Sequence, residues 1–144
     1  MPDNAIILLA EDSEDDAFLC QRALKGVALN HNCIHVQDGA QCIKYLEGVE
    51  PYADRKKFPL PNLLLLDLKM PILSGFDVLR WLHDHPQFKE LPVIILTGSE
   101  WAEDREAAFK HGASDFHSKP MNSDDMLKIM QAIGARWLKP STNE

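Results

Sequence analysis

Short apolar stretches closed by a polar or charged residue punctuate this chain. Ile6-Ile7-Leu8-Leu9-Ala10 runs into Glu11-Asp12, Asn62-Leu63-Leu64-Leu65-Leu66 into Asp67, and Val93-Ile94-Ile95-Leu96 into Thr97. Ser114-Asp115-Phe116-His117-Ser118 likewise runs into Lys119-Pro120. Runs this short and this apolar read as strands buried on both faces, the pattern of a parallel sheet covered by helices. Cys33-Ile34-His35-Val36 predicts one more strand.

Between the strands the apolar positions recur at helical spacing. Ser13 as N-cap, with Asp16 placed for a capping box, opens a helix with the inner stripe Ala17, Cys20, Gln21 and Leu24, ending near Gly26. Gly39 to Leu46 predicts a short helix with Ile43 and Leu46 inward, and Ser74-Gly75-Phe76-Asp77 forms a second capping box. That box starts a helix carrying Val78, Leu79 and Leu82, which Pro86 stops. A fourth helix holds Glu100, Glu103 and Asp104 in its first turn, where acids meet the positive end of the helix dipole, and Gly112 ends it. The last helix places Met126, Ile129, Met130, Ile133 and Trp137 on one face, and Pro140 closes it.

Five strands alternating with five helices predict right-handed crossovers and a doubly wound parallel α/β sheet. Ligands of such sheets bind outside the carboxyl ends of the strands, where this sequence sets Glu11, Asp12, Asp67, Thr97 and Lys119. Three neighbouring acids raise one another's pKa unless a cation compensates them. Magnesium suits carboxylates, a backbone carbonyl and a phosphate oxygen. An Asp67 oxygen then attacks phosphorus to form an aspartyl phosphate, with the Lys119 ammonium and Thr97 hydroxyl taking phosphoryl oxygens.

Length and charge narrow the picture. The 144 residues fit a single domain, with a core over about 5–137 and a short tail at 138–144. A net charge of -7 argues against nonspecific nucleic-acid binding, which needs a basic surface. No apolar stretch reaches the length of a membrane span, and Met1-Pro2-Asp3-Asn4 lacks the features of a signal peptide, so a cytoplasmic location is expected. Cys20, Cys33 and Cys42 have no metal-ligand spacing and read as small buried thiols. His83 and His85 point apart on a helix and suggest no metal. The segment from Gly48 to Pro61, with three prolines and the trio Arg55-Lys56-Lys57, exceeds the usual loop length. It reads as a solvated surface loop, the other reading being a partner or dimer contact.

The motifs Leu9-Ala10-Glu11-Asp12, Leu65-Leu66-Asp67-Leu68-Lys69-Met70-Pro71, Ser74-Gly75, Leu96-Thr97-Gly98 and Lys119-Pro120 together resemble the receiver domain of two-component response regulators, over residues 5 to about 137. The resemblance implies a flavodoxin-like fold with strand order 2-1-3-4-5 and Asp67 as phosphoacceptor. It implies that Glu11, Asp12, Asp67 and the backbone carbonyl of Lys69 hold Mg2+. Thr97 would be the switch hydroxyl, Lys119 the phosphate-pairing lysine, and Phe116 the switch aromatic. It implies a cis bond before Pro120, and it gives Lys69 and Ser99 positions that tune phosphoryl lifetime. Glu11 stands where many relatives carry a second aspartate.

The expected activity is therefore phosphoacceptance from a sensor histidine kinase, with signalling through a downstream protein target or a phosphotransfer protein, not an enzyme with turnover. The long loop and the absence of an output domain look like the small regulators partnered with phytochrome kinases. A homodimer through the last two helices, with Trp137 contributing, stays open. So does the role of Trp101, which either covers the site, anchors a partner or packs its own helix. Two competitors follow from other classes. A haloacid-dehalogenase-like phosphatase would carry a second acid where Lys69 stands, and a constitutive adaptor would have no need of the acids, Thr97 and Lys119.

Overall fold

The computed structural model describes residues 5–27 and 31–138. Its strands are β1 (Ala5–Ala10), β2 (His31–Val36), β3 (Leu63–Leu66), β4 (Val93–Thr97) and β5 (Asp115–Ser118). The helices are α1 (Glu14–Lys25), α2 (Gly39–Glu47), α3 (Gly75–His83), α4 (Ala102–Lys110) and α5 (Ser123–Trp137), with a single 3-10 turn at Pro86–Phe88. All strands pair in parallel in the order β2-β1-β3-β4-β5, as expected.

Side chains alternate across each strand, so the buried runs feed two cores. Ile7, Leu9, Leu63, Leu65, Ile94 and Leu96 meet Ala17, Cys20 and Leu24 of α1 and Met126, Met130 and Ile133 of α5. On the opposite face Leu8, Leu64, Leu66 and Ile95 pack with Cys42, Tyr45 and Leu46 of α2, Val78 and Leu79 of α3, and Ala108 of α4. Each fully buried Leu or Ile contributes on the order of 1.5–3 kcal/mol, which is why strands of only 4–6 residues hold the centre.

Several expectations change. In α1 it is Ala23, not Gln21, that joins the buried stripe, because the helix rotates the small residue against the sheet and leaves the amide half-buried. The start of α4 lies at Ala102, so Glu100 precedes its first turn. Gly112, at φ 105, does end α4, and Pro140 lies outside the described residues.

The segment after α2 lies at the surface as expected, with Lys56 and Lys57 exposed, but it is pinned to α2 by contacts of its own. Tyr45, Tyr52 and Phe58 form a mutual ring cluster with centroids 5.2–6.0 Å apart. Arg55 donates to the carbonyls of Tyr45 (2.9 Å), Leu46 (2.9 Å) and Phe58 (3.0 Å), meeting two of the carbonyls that the end of a helix leaves without partners. The expected cis bond before Pro120 is absent. Trans is the lower-energy form of an X-Pro bond by about 0.5–1 kcal/mol, and Lys119 reaches its partners with it. Among the described residues the cis bond precedes Pro51 instead.

Candidate functional site

Hydrogen bonding continues beyond the strand ends and carries the polar residues to one edge. The Glu11 amide donates to Val36 O (3.0 Å) and the Asp67 amide to Ala10 O (3.1 Å), so each acid is held by the neighbouring strand. The Lys119 amide donates to Thr97 O (2.8 Å), joining the ends of β4 and β5. Gly75 backs this edge. A Cβ there would stand 2.3 Å from Asp67 O and 2.7 Å from Leu68 Cα, so only glycine lets α3 approach the acid-bearing strand.

The centre of the site is the Lys119 ammonium. Its Nζ donates to Glu11 Oε1 (2.7 Å), Asp16 Oδ2 (2.8 Å) and Asp67 Oδ2 (2.9 Å). Burial opposes the charged lysine, but these three carboxylates outweigh it and hold its proton above the ordinary lysine range. Glu11, only 1% exposed, is pushed up to about 7 by burial, with the Lys119 hydrogen bond working against the shift and the Asp67 charge adding to it. Asp67 is 5% exposed, and its Oδ1 accepts from the Lys69 amide (3.3 Å).

Asp12, exposed, completes a cluster in which one oxygen each from Glu11, Asp12 and Asp67 lie within 4.8 Å of one another. Three hard oxygen donors, two of them buried, fit Mg2+ or a similar divalent cation, whose charge would offset the repulsion among the acids. Among the described residues no other group of three or more acids, histidines or cysteines is placed to hold a metal ion.

Thr97, Phe116, Ser99 and Trp101 lie on β4, on β5 and in the turn between β4 and α4. Thr97 is fully buried at the end of β4, and its Oγ1 accepts from the Ser99 amide (3.4 Å). Ser99, also buried, donates its hydroxyl to Asp104 (2.5 Å), tying the β4–α4 turn to α4. Phe116 pairs with Ile95 in the sheet and is buried, with the Arg105 guanidinium 5.6 Å from its ring centre. Trp101 is 65% exposed just before α4, so it does not pack as a core residue. The three cysteines are free, and burial pushes the Cys20 and Cys42 thiols up to about 12 and Cys33 up to about 11, leaving them unreactive at neutral pH.

Sequence reading missed Asp16. The expected capping box is only half made, since Ser13 Oγ accepts from the Asp16 amide (3.2 Å) while the Ser13 amide donates to Glu11 Oε2 (3.1 Å). Glu11 thus takes the place Asp16 would have had, and the Asp16 carboxylate turns to Lys119. The signal was present in the spacing: a carboxylate one turn into the helix that follows Glu11-Asp12 starts close to the strand ends.

Comparison with known proteins agrees with this geometry. The family described as the response regulator receiver domain matches residues 7–131. Response regulator Rcp1 of Synechocystis sp. is 34% identical over 137 residues, 95% of this chain and 91% of the relative. The crystal structure of the Mn(2+)-bound form of Rcp1 superposes with a TM-score of 0.83, covering 94% of this chain and 95% of that one. The phosphorylated cyanobacterial phytochrome response regulator RcpA superposes with a TM-score of 0.87 at 29% identity, covering 95% and 96%.

Proposed function

We propose the following function for this chain, which belongs to the response regulator receiver-domain family: Asp67 accepts a phosphoryl group from a histidine kinase, and the acyl phosphate switches a surface that another protein reads. Receiver domains are in general signalling domains without turnover of their own, and a family member implies a phosphodonor of the histidine-kinase type. The finer reading is that the donor is a phytochrome-type kinase. The likeness to Rcp1 and to the phytochrome regulator RcpA supports it. We extend the proposal to a single domain over 1–144 that works by docking a target or passing the phosphoryl group on, since the chain spans nearly the full length of Rcp1.

The chemistry follows from the buried edge. An Asp67 oxygen attacks phosphorus, the P–N bond of the phosphohistidine breaks, and its electron pair leaves on the imidazole nitrogen. The Lys119 ammonium, 2.9 Å from Asp67 Oδ2, pairs with one phosphoryl oxygen, and the Thr97 hydroxyl donates to another. Glu11, Asp12, Asp67 and the Lys69 backbone carbonyl would hold Mg2+, which when bound neutralises charge on the transferring group. To reach the phosphoryl group Thr97 must release the Ser99 amide, and the space it leaves is open to the Phe116 ring on the neighbouring strand. The switch then reads out on the face of α4, β5 and α5.

The single observation that carries this reading is the Lys119 ammonium bonded at once to Glu11 and Asp67, two acids buried at neighbouring strand ends. A core lysine with no such task would not need two desolvated acids. Incubation with acetyl phosphate and Mg2+, followed by intact mass measurement, tests it. The wild type gains one labile phosphoryl group and Asp67→Asn gains none; equal labelling of both proteins, or none of the wild type, contradicts the assignment.

A further inference from the structure

We propose that Asp16 is a positioning residue for Lys119, a seat on α1 to which the ammonium moves when a divalent cation takes the neighbouring acids. The proposal rests on the cation site argued above and goes beyond it. Lys119 has three carboxylate partners, Glu11 (2.7 Å), Asp16 (2.8 Å) and Asp67 (2.9 Å). Glu11 and Asp67 belong to the cluster with Asp12 whose oxygens lie within 4.8 Å of one another, and Asp16 does not. Two of the three groups that hold the ammonium are thus the oxygens a cation would claim. A doubly charged ion held there would repel the ammonium and compete for two of its three acceptors.

Asp16 is the partner that remains. Its side chain is 37% exposed, so keeping the ion pair costs little desolvation. It is also released from local duty. At the third position of α1 its carboxylate would ordinarily bond the Ser13 amide, as Asp77 bonds the Ser74 amide in α3 (2.8 Å). Glu11 Oε2 makes that bond in α1 instead. A local rule broken by the residue that reaches into the site points to a role there. Asp16 acts through Lys119 and has no place among the cation's own ligands.

A double-mutant cycle on Mg2+ binding tests this, with dissociation constants measured calorimetrically for the metal alone. Asp16→Asn weakens binding about 3- to 10-fold while Lys119 is present, the size expected for partners in one ion-pair network. Asp16→Glu restores most of the loss, and with Lys119→Met in place the Asp16→Asn change falls below about 2-fold. Lys119→Gln supplies the same comparison if Lys119→Met does not fold. Equal losses with and without Lys119 would mean that Asp16 attracts the cation by its own charge, and no loss in either background would mean that it is only a helix residue. Both results overturn the proposal while leaving the cation site intact. A wild type that binds no Mg2+ overturns the cation site and this inference together.

Discussion

At the scale of single residues the site depends on desolvated charge held in fixed register. Glu11 and Asp67 are buried carboxylates whose repulsion the Lys119 ammonium offsets in the absence of a cation. Backbone contact matters as much as charge. Gly75 lets α3 sit against the Asp67 carbonyl, with space for no Cβ. Gly75→Ala is therefore expected to cost about 2 kcal/mol of stability by overpacking and to slow acetyl-phosphate labelling through displacement of Asp67. Denaturant unfolding and labelling rate check the two effects, and an unchanged midpoint would count against the close approach. Asp67, Thr97 and Lys119 were legible because each closes a strand-like run, so that topology alone brings them to one edge. Asp16 was not. Its sequence position satisfies a local capping rule, and the competing partner, Glu11, becomes visible only when the chain beyond β1 is traced in space.

At the scale of elements the strands and helices were readable because propensity, burial and capping agree. Leu63 to Leu66, a short fully apolar run, reads as a strand buried on both faces and is one, and Ser74 with Asp77 forms the complete box that starts α3. The box has a pH signature. Asp77 is held below the ordinary carboxylate range, first by the Ser74 amide and then by Arg80. A carboxylate with a lowered folded-state pKa contributes stability that is complete above its unfolded value near 3.8 and lost as pH falls through the folded value. Asp77→Asn is expected to lower stability by about 0.5 kcal/mol at neutral pH, a gap that closes below pH 3.8. Urea midpoints of both proteins across pH check it, and a gap that widens in acid would contradict the sign. What the surface reading of the segment after α2 left out is its anchoring, because the determinants are not periodic. Prolines and basic residues suggested solvent, and Lys56 and Lys57 are exposed, but Arg55 bonds three carbonyls and Tyr52 and Phe58 pack against Tyr45, contacts no sequence window displays.

At the scale of the whole molecule, binding energy at one edge is expected to appear as fold stability. Glu11 and Asp12 follow β1 and Asp67 follows β3, so a cation bound by all three would stabilise the pairing of these two strands. Mg2+ at a hundred times its dissociation constant is expected to add about 2.7 kcal/mol, a rise in Tm of roughly 8 °C for a domain of this size. Asp12→Asn should remove most of that rise in thermal scans with and without EDTA. The family and the strand order β2-β1-β3-β4-β5 were legible in advance, because four polar strand ends in a fixed order leave little freedom. The trans bond before Pro120 was not, since the two isomers of an X-Pro bond differ by about 0.5–1 kcal/mol and the sequence holds no term of that precision. The central claim is that Asp67 alone carries the phosphoryl group. Borohydride reduces an acyl phosphate to the alcohol, so treating the phosphorylated protein with it and mapping its peptides identifies the residue directly. Homoserine at position 67 and at no other acid is the expected result, whereas reduction at Glu11, Asp12 or Asp16 would contradict the account.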